Sequence, residues 1–174
     1  MILDEAAALI EEQGLDALSM RVLAARLEVR ASSLYRYFSD REQLESALGD
    51  RAAEELRMAM DLAIEGKNPA DAFAAAAEAY RAFAKAKPGA YAVLHRNPAA
   101  TEPRKRLWLT VLGLVGRLTG DADDTSAAVA TWSYLHGFCT LEASGLFGAS
   151  GPKEGFRRGV ATFANGLRAS RKDH

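Results

Sequence analysis

The residues of this 174-residue chain best equipped to do chemistry lie in "RASSLYRYFSDREQL", residues 30–44. Arg30, Arg36 and Arg41 stand within a few positions of Tyr35, Tyr37 and Phe38, and acids (Asp40, Glu42) come only at the far end. Arginine offers a planar fork of donors that fits phosphate or a guanine edge, and a tyrosine hydroxyl adds a further donor. Such a set is either a packed helix end that happens to be aromatic or a surface that meets a polyanion. The net charge of −1 offers no such preference, so it must come from distribution. Residues 1–18 hold five acids (Asp4, Glu5, Glu11, Glu12, Asp16) and no base, whereas residues 19–41 hold five arginines, Arg21 and Arg26 joining the three above, against Glu28 and Asp40.

The remaining reactive side chains point to no catalysis. His136 and Cys139 are three apart and could touch one metal, with His95 the only other candidate. Two ligands fall short of the three or four a site needs, so no metal is expected. No Ser/His/Asp arrangement, glycine-rich phosphate loop or paired carboxylate stands out, so neither enzymatic activity nor a cofactor is expected. Cys139 is the single cysteine, which excludes an intrachain disulfide. No stretch approaches the ~20 apolar residues of a spanning helix, and the acidic start "MILDEAAALIEEQG" lacks the basic opening of a signal peptide. A cytoplasmic location is the default expectation.

The elements that must position these residues read as helices almost throughout. Ile2, Leu3, Ala6, Leu9 and Ile10 share a face at helical spacing, and Gly14 ends that helix. Ser19 caps a short second helix that turns Val22, Leu23 and Leu27 inward. Glu28-Val29 breaks it, and a third helix runs from about Arg30 through Tyr37. Asp40, with Gln43 three residues on, approximates a capping box for a long helix through Ile64. Beyond Pro69 come an alanine-rich helix, a short helix in "KPGAYAVLHRNP", and "EPRKRLWLTVLGLVGRLTG", apolar on most sides (Leu109 included) and expected to be buried. A long apolar helix opening on acids and a last one with Phe156, Val160, Phe163 and Leu167 on one face and a basic end through Lys172 close the chain. The fold class is all-α, with about nine helices.

A stabilising helix followed by two short helices joined by a tight turn is the helix-turn-helix arrangement. "SMRVLAARLEVRASSLYRYFSDREQLESAL" resembles the tetracycline-repressor-like (TetR) family of bacterial regulators. The features that match are Ala24 after Leu23, the turn ending at Val29, Tyr35-x-x-Phe38, and Arg41, Glu42 and Leu44 opening the next helix. The resemblance covers residues 2–48. The wording "VRASSLYRYF" is closest to a subgroup with a C-terminal Trp-x-x-x-His-Gly motif, present here at Trp132, His136 and Gly137. It implies a DNA-binding domain over residues 1–45 and a ligand-binding and dimerisation domain over 46–174.

The resemblance also implies roles. Arg30, Ala31, Ser32 and Ser33 open the recognition helix and face the groove. Ser19 and Arg21 stand where phosphate meets the preceding helix, Tyr35 and Tyr37 are placed for phosphate contact by hydroxyl, and Arg41 is the phosphate-clamping base, usually Lys in the family. Leu34 and Phe38 are core, and Arg26 is expected to pair with an acid. Two departures stand out. The family usually has glycine in the turn where this chain has Glu28, and many members carry a basic arm before the first helix where this sequence has "ILDEAA". Weaker backbone affinity is the expected result.

For the rest of the chain the resemblance implies a homodimer through the last two long helices, whose small residues (Ala143, Ser144, Gly145, Gly159, Ala164, Gly166) permit close approach. It also implies a cavity for a largely apolar or aromatic effector. Candidate lining residues are Tyr80, Phe83, Tyr91 and His95, then Trp108, Leu112, Trp132 and His136, with Tyr134 and Phe138 beside them. Gly137 in mid-helix costs about 1 kcal/mol against alanine, so a close helix crossing is expected there. The expected function is a ligand-responsive regulator that binds a palindromic DNA operator and is released by the effector. A DNA-binding dimer without an effector, and a small-molecule-binding dimer without DNA binding, remain alternatives.

Overall fold

A computed structural model describes residues 1–96 and 100–170. Pro98, expected to bound the sixth helix, and Arg171 and Lys172 of the basic end lie outside the described residues. Within them are nine α-helices and no strand: α1 Ile2–Gln13, α2 Met20–Arg26, α3 Ala31–Leu34, α4 Arg41–Ile64, α5 Pro69–Ala86, α6 Pro88–Arg96, α7 Glu102–Thr119, α8 Thr125–Ala143 and α9 Gly155–Ser170, with a 3-10 turn at Leu15–Ala17. The chain forms two compact units. The first is Met1–Glu55 with Ala86–Lys105; the second is Leu56–Lys85 with the residues from Arg106 onward. Compactness thus groups α6 with the N-terminal helices, a different division from a boundary after residue 45.

The first unit is built on Leu9, Ile10, Leu23, Leu34, Leu44, Leu48 and Val93, drawn from α1, α2, α3, α4 and α6, with Leu18 from the connection between α1 and α2. Each such side chain contributes about 1.5–3 kcal/mol by leaving water. Ser19 caps α2 by accepting a hydrogen bond from the Val22 amide (3.2 Å). α2 ends in a Schellman motif: the Glu28 amide donates to the Ala25 carbonyl (3.1 Å) and the Val29 amide to the Ala24 carbonyl (2.9 Å). That motif needs a left-handed residue, and Glu28 supplies it at φ 55°. α3 is shorter than the expected span to Tyr37. After Leu34 the ladder gives way to turn bonds, the Tyr37 and Phe38 amides both donating to the Leu34 carbonyl. Asp40 accepts from the Gln43 amide (2.8 Å), and Gln43 reaches back to the Ser39 amide (2.6 Å), so the capping box closes one residue earlier than drawn from the sequence. Glu11 of α1 accepts from the Gly89 and Ala90 amides (3.0 and 2.8 Å), capping α6. A Cβ at Gly89 would lie 2.5 Å from the Ile10 carbonyl oxygen, so glycine is what lets these helices touch.

The second unit buries Leu56 and Met60 of α4, Phe73, Ala76, Ala77 and Tyr80 of α5, and one face each of α7, α8 and α9. α7 is not buried on most sides. Leu107, Val111, Leu114, Val115 and Leu118 are buried, but Leu109 is 59% exposed, because it sits about 200° round the helix from Leu107. α8 starts at Asp124, which accepts from the Ala127 amide (2.9 Å). Phe156 and Val160 of α9 are buried as the spacing predicts. A Cβ at Gly159 would collide with the Tyr134 ring, so this glycine serves the crossing of α8 and α9 within the chain.

Candidate nucleic-acid interface and inner cavity

The five arginines of residues 19–41 separate into two groups. Arg26 is bound to Glu5 and, through both terminal nitrogens, to Glu12 (2.6 and 2.7 Å), which makes it the expected partner of acids. Arg41 donates to Glu45 (2.6 Å) and to the Leu15 carbonyl (3.2 Å), so much of its guanidinium already braces α4 against the 3-10 turn. Arg21, Arg30 and Arg36 are exposed and make no ion pair with the described residues. Around them Tyr35 is 53% and Tyr37 65% exposed, while Leu34 and Phe38 turn inward to the core. Ser32 and Ser33 are exposed and Ala31 is half-buried. Ser19 keeps its hydroxyl proton for a further partner, since the cap uses only its acceptor. Exposing large rings and unpaired cations on a helix of small residues leaves donors free for phosphate and lets the backbone approach base edges.

The inner candidates fall in both units. Tyr91 and His95 belong to the first, on α6, where their rings lie 4.5 Å apart and His95 Nδ1 is 2.9 Å from the Tyr91 carbonyl. Tyr80, Trp108 and Trp132 form an aromatic chain in the second, with ring centroids 5.7 Å apart (Tyr80–Trp132) and 6.5 Å apart (Trp108–Trp132), both edge-on. Phe83 is buried, and Leu112 and His136 are half-buried. Burial holds His136 below its ordinary value, so its ring is neutral near pH 7. Tyr134 and Phe138 do other work. The Tyr134 hydroxyl donates to the Phe156 carbonyl (3.1 Å), and Phe138 packs edge-on against Phe156. Burial, and then the Glu142 charge, push the Cys139 thiol up to about 12, which keeps it protonated near pH 7. No cluster of three or more His, Cys, Asp or Glu able to hold a metal occurs among the described residues.

The periodicity did not single out Thr131. It lines a void of about 10 Å³ in the second unit with Met60, Phe73, Ala76, Ala77, Val111, Leu114 and Leu135. A larger groove, about 470 Å³, runs along Ala70, Ala74, Ala75 and Glu78 of α5 and Arg157, Val160, Ala161, Ala164 and Asn165 of α9.

A helix-turn-helix head with a helical body defines a class of bacterial regulator, and comparison with known proteins agrees. Residues 2–48 match the family of bacterial regulatory proteins, tetR family, and residues 73–163 match the tetracyclin repressor-like C-terminal domain. The chain belongs to the TetR family of transcriptional regulators. It is 30% identical over 154 residues to an HTH-type transcriptional regulator of Mycobacterium tuberculosis, covering 83% of this chain and 70% of that one. Among solved structures it is similar to a protein of unknown function from Rhodococcus sp. RHA1 (TM-score 0.80, 27% identity, 96% of this chain and 93% of the other). It also shares the fold of a TetR variant from Acinetobacter baumannii AYE in complex with minocycline (TM-score 0.76, 20% identity, 98% and 96% covered). No described helix is long and apolar enough to cross a membrane.

Proposed function

We propose that this regulator is a cytoplasmic repressor without enzymatic activity. It binds a palindromic operator as a homodimer through the last two long helices and leaves the DNA when a largely apolar small molecule enters its body. The observation that carries the DNA reading is the set of three exposed, unpaired arginines beside two exposed tyrosines. Arg30 and the small residues Ala31, Ser32 and Ser33 read base edges. Ser19, Arg21, Tyr35, Tyr37 and the remaining nitrogen of Arg41 hold phosphates. Two heads on one duplex need half-sites about 34 Å apart or a multiple of it, which calls for a twofold dimer. α4 is one continuous helix that begins in the first unit and continues in the second. An effector acts through it only as far as its affinity differs between the two head spacings.

The effector reading is supported by the aromatic chain of buried Tyr80 with half-buried Trp108 and Trp132, and by a neutral His136 suited to pairing with an uncharged group. Phe83 and Leu112, in the same unit, are the further candidates. Gel-shift titration against the DNA upstream of the chain's own gene, over a salt series, tests the DNA reading. Binding should weaken steeply with salt, and Arg30→Ala should cost roughly 1–3 kcal/mol and relax sequence preference, while Tyr37→Phe weakens binding evenly across sequences. Salt-independent binding, or none, favours a small-molecule-binding dimer instead.

A further inference from the structure

Thr131 is a buried polar side chain that the packing of the second unit does not explain. It is 3% exposed, and its hydroxyl has no hydrogen-bond partner among the described residues. A threonine inside a helix commonly returns its proton to the carbonyl four residues back; this one instead borders the small void. The void is about the size of one water. A buried water needs two to four polar partners, and the wall offers one. Valine would occupy the same volume with no orphaned hydroxyl, so the hydroxyl is there for something the closed structure does not contain. The rest of the wall is apolar and uncharged, which rules out an ionic guest. Ala76 and Ala77 present only methyl groups to the void. Met60, unbranched and with three rotatable bonds, is the group best able to swing away and make room.

We propose that this void is the closed form of a binding site for a small neutral molecule. That molecule has an apolar body of about one ring and a single hydroxyl or carbonyl, with which Thr131 pairs. The inference rests on the effector reading above and narrows it to a ligand class and a residue. The probes are p-cresol and p-xylene, which have nearly the same shape and differ by a hydroxyl against a methyl. Both are titrated calorimetrically into the purified full chain, with Trp132 fluorescence and the melting midpoint followed in parallel. Wild type should prefer p-cresol. Thr131→Val should raise Tm without ligand by about 2–4 °C, since it removes an unsatisfied group. It should lose on the order of five- to tenfold in p-cresol affinity and leave p-xylene unchanged. Thr131→Ser should keep the preference. If neither probe binds wild type, or if the p-cresol preference survives in Thr131→Val, the site is overturned. A gel shift separates the two readings. Thr131-dependent binding that leaves the protein on DNA sinks the effector role and spares the site. A molecule that releases DNA equally from Thr131→Val does the reverse.

Discussion

Glu28 holds a backbone conformation that favours glycine, and holds a negative charge two residues before Arg30. At φ 55° its Cβ crowds the following carbonyl, at a cost of about 1 kcal/mol relative to glycine. Glu28→Gly should therefore stabilise the protein by about 1 kcal/mol, read as a rise of about 2–4 °C in Tm, and strengthen binding to non-specific DNA at low salt. Glu28→Gln separates the two effects, because it removes the charge and keeps the strain. An unchanged midpoint and unchanged DNA affinity for Glu28→Gly would refute the account. The acid in the turn was legible in the sequence because the resemblance marked the position where glycine belongs. Arg26 was legible as an intradomain cation. Arg41 was legible only as a base; that its guanidinium already braces Glu45 and Leu15 depends on the 3-10 turn, which the apolar pattern does not announce.

Among the elements, α5 and α8 are joined by an ion pair rather than by apolar contact alone. Arg81 makes two parallel bonds to Glu142 (2.8 and 2.6 Å), both side chains mostly buried, and its guanidinium lies 4.9 Å over the Phe156 ring. The hydrogen bond from Arg81 holds the Glu142 carboxyl below its ordinary value of 4.5. In the unfolded chain Glu142 takes up a proton near that value, while in the folded chain it stays ionised. The pair's contribution is thus present above pH 4.5 and is lost as pH falls through the lower folded value. Arg81→Met leaves a carboxylate buried without its main partner and should cost about 2–4 kcal/mol in urea unfolding at pH 7. Glu142→Gln should flatten the acid limb of stability below pH 4.5. A loss under about 0.5 kcal/mol for Arg81→Met would show the pair to be dispensable. Helix ends with caps were legible, as at Ser19 and Asp40, since capping is local chemistry. The one-sided burial of α7 was not, because seven leucines and valines in one helix do not say how many neighbours it has.

At the scale of the molecule, Gly137 changes meaning. The sequence places a close crossing there, yet a Cβ built on it meets no described atom within 4 Å. It belongs instead to an open stripe of α8 with Val129 (51% exposed), Ser133, Thr140 and Leu141. Gly159, by contrast, is consumed within the chain against Tyr134. If the partner copy covers the α8 stripe, Gly137→Leu should weaken the dimer at least tenfold in sedimentation, an estimate that assumes a lost close approach of about 1.4 kcal/mol or more. Gly137→Ala on an uncovered helix would simply gain about 1 kcal/mol. A dimer of unchanged affinity carrying Gly137→Leu would place the interface elsewhere.

The sequence by itself determined the all-helical class, the helix-turn-helix head, the split between inward Leu34 and Phe38 and outward Arg30 and Tyr37, and the family. Those rest on short-range rules: a 3.6-residue period, a capping oxygen, a turn residue. Tertiary structure decided the rest. It set which arginines are spoken for, gave α6 to the first unit through the Glu11 cap and Gly89, and left Thr131 without a partner beside an unfilled void. Each depends on which distant side chains arrive at the same place, and spacing along one helix carries no record of that.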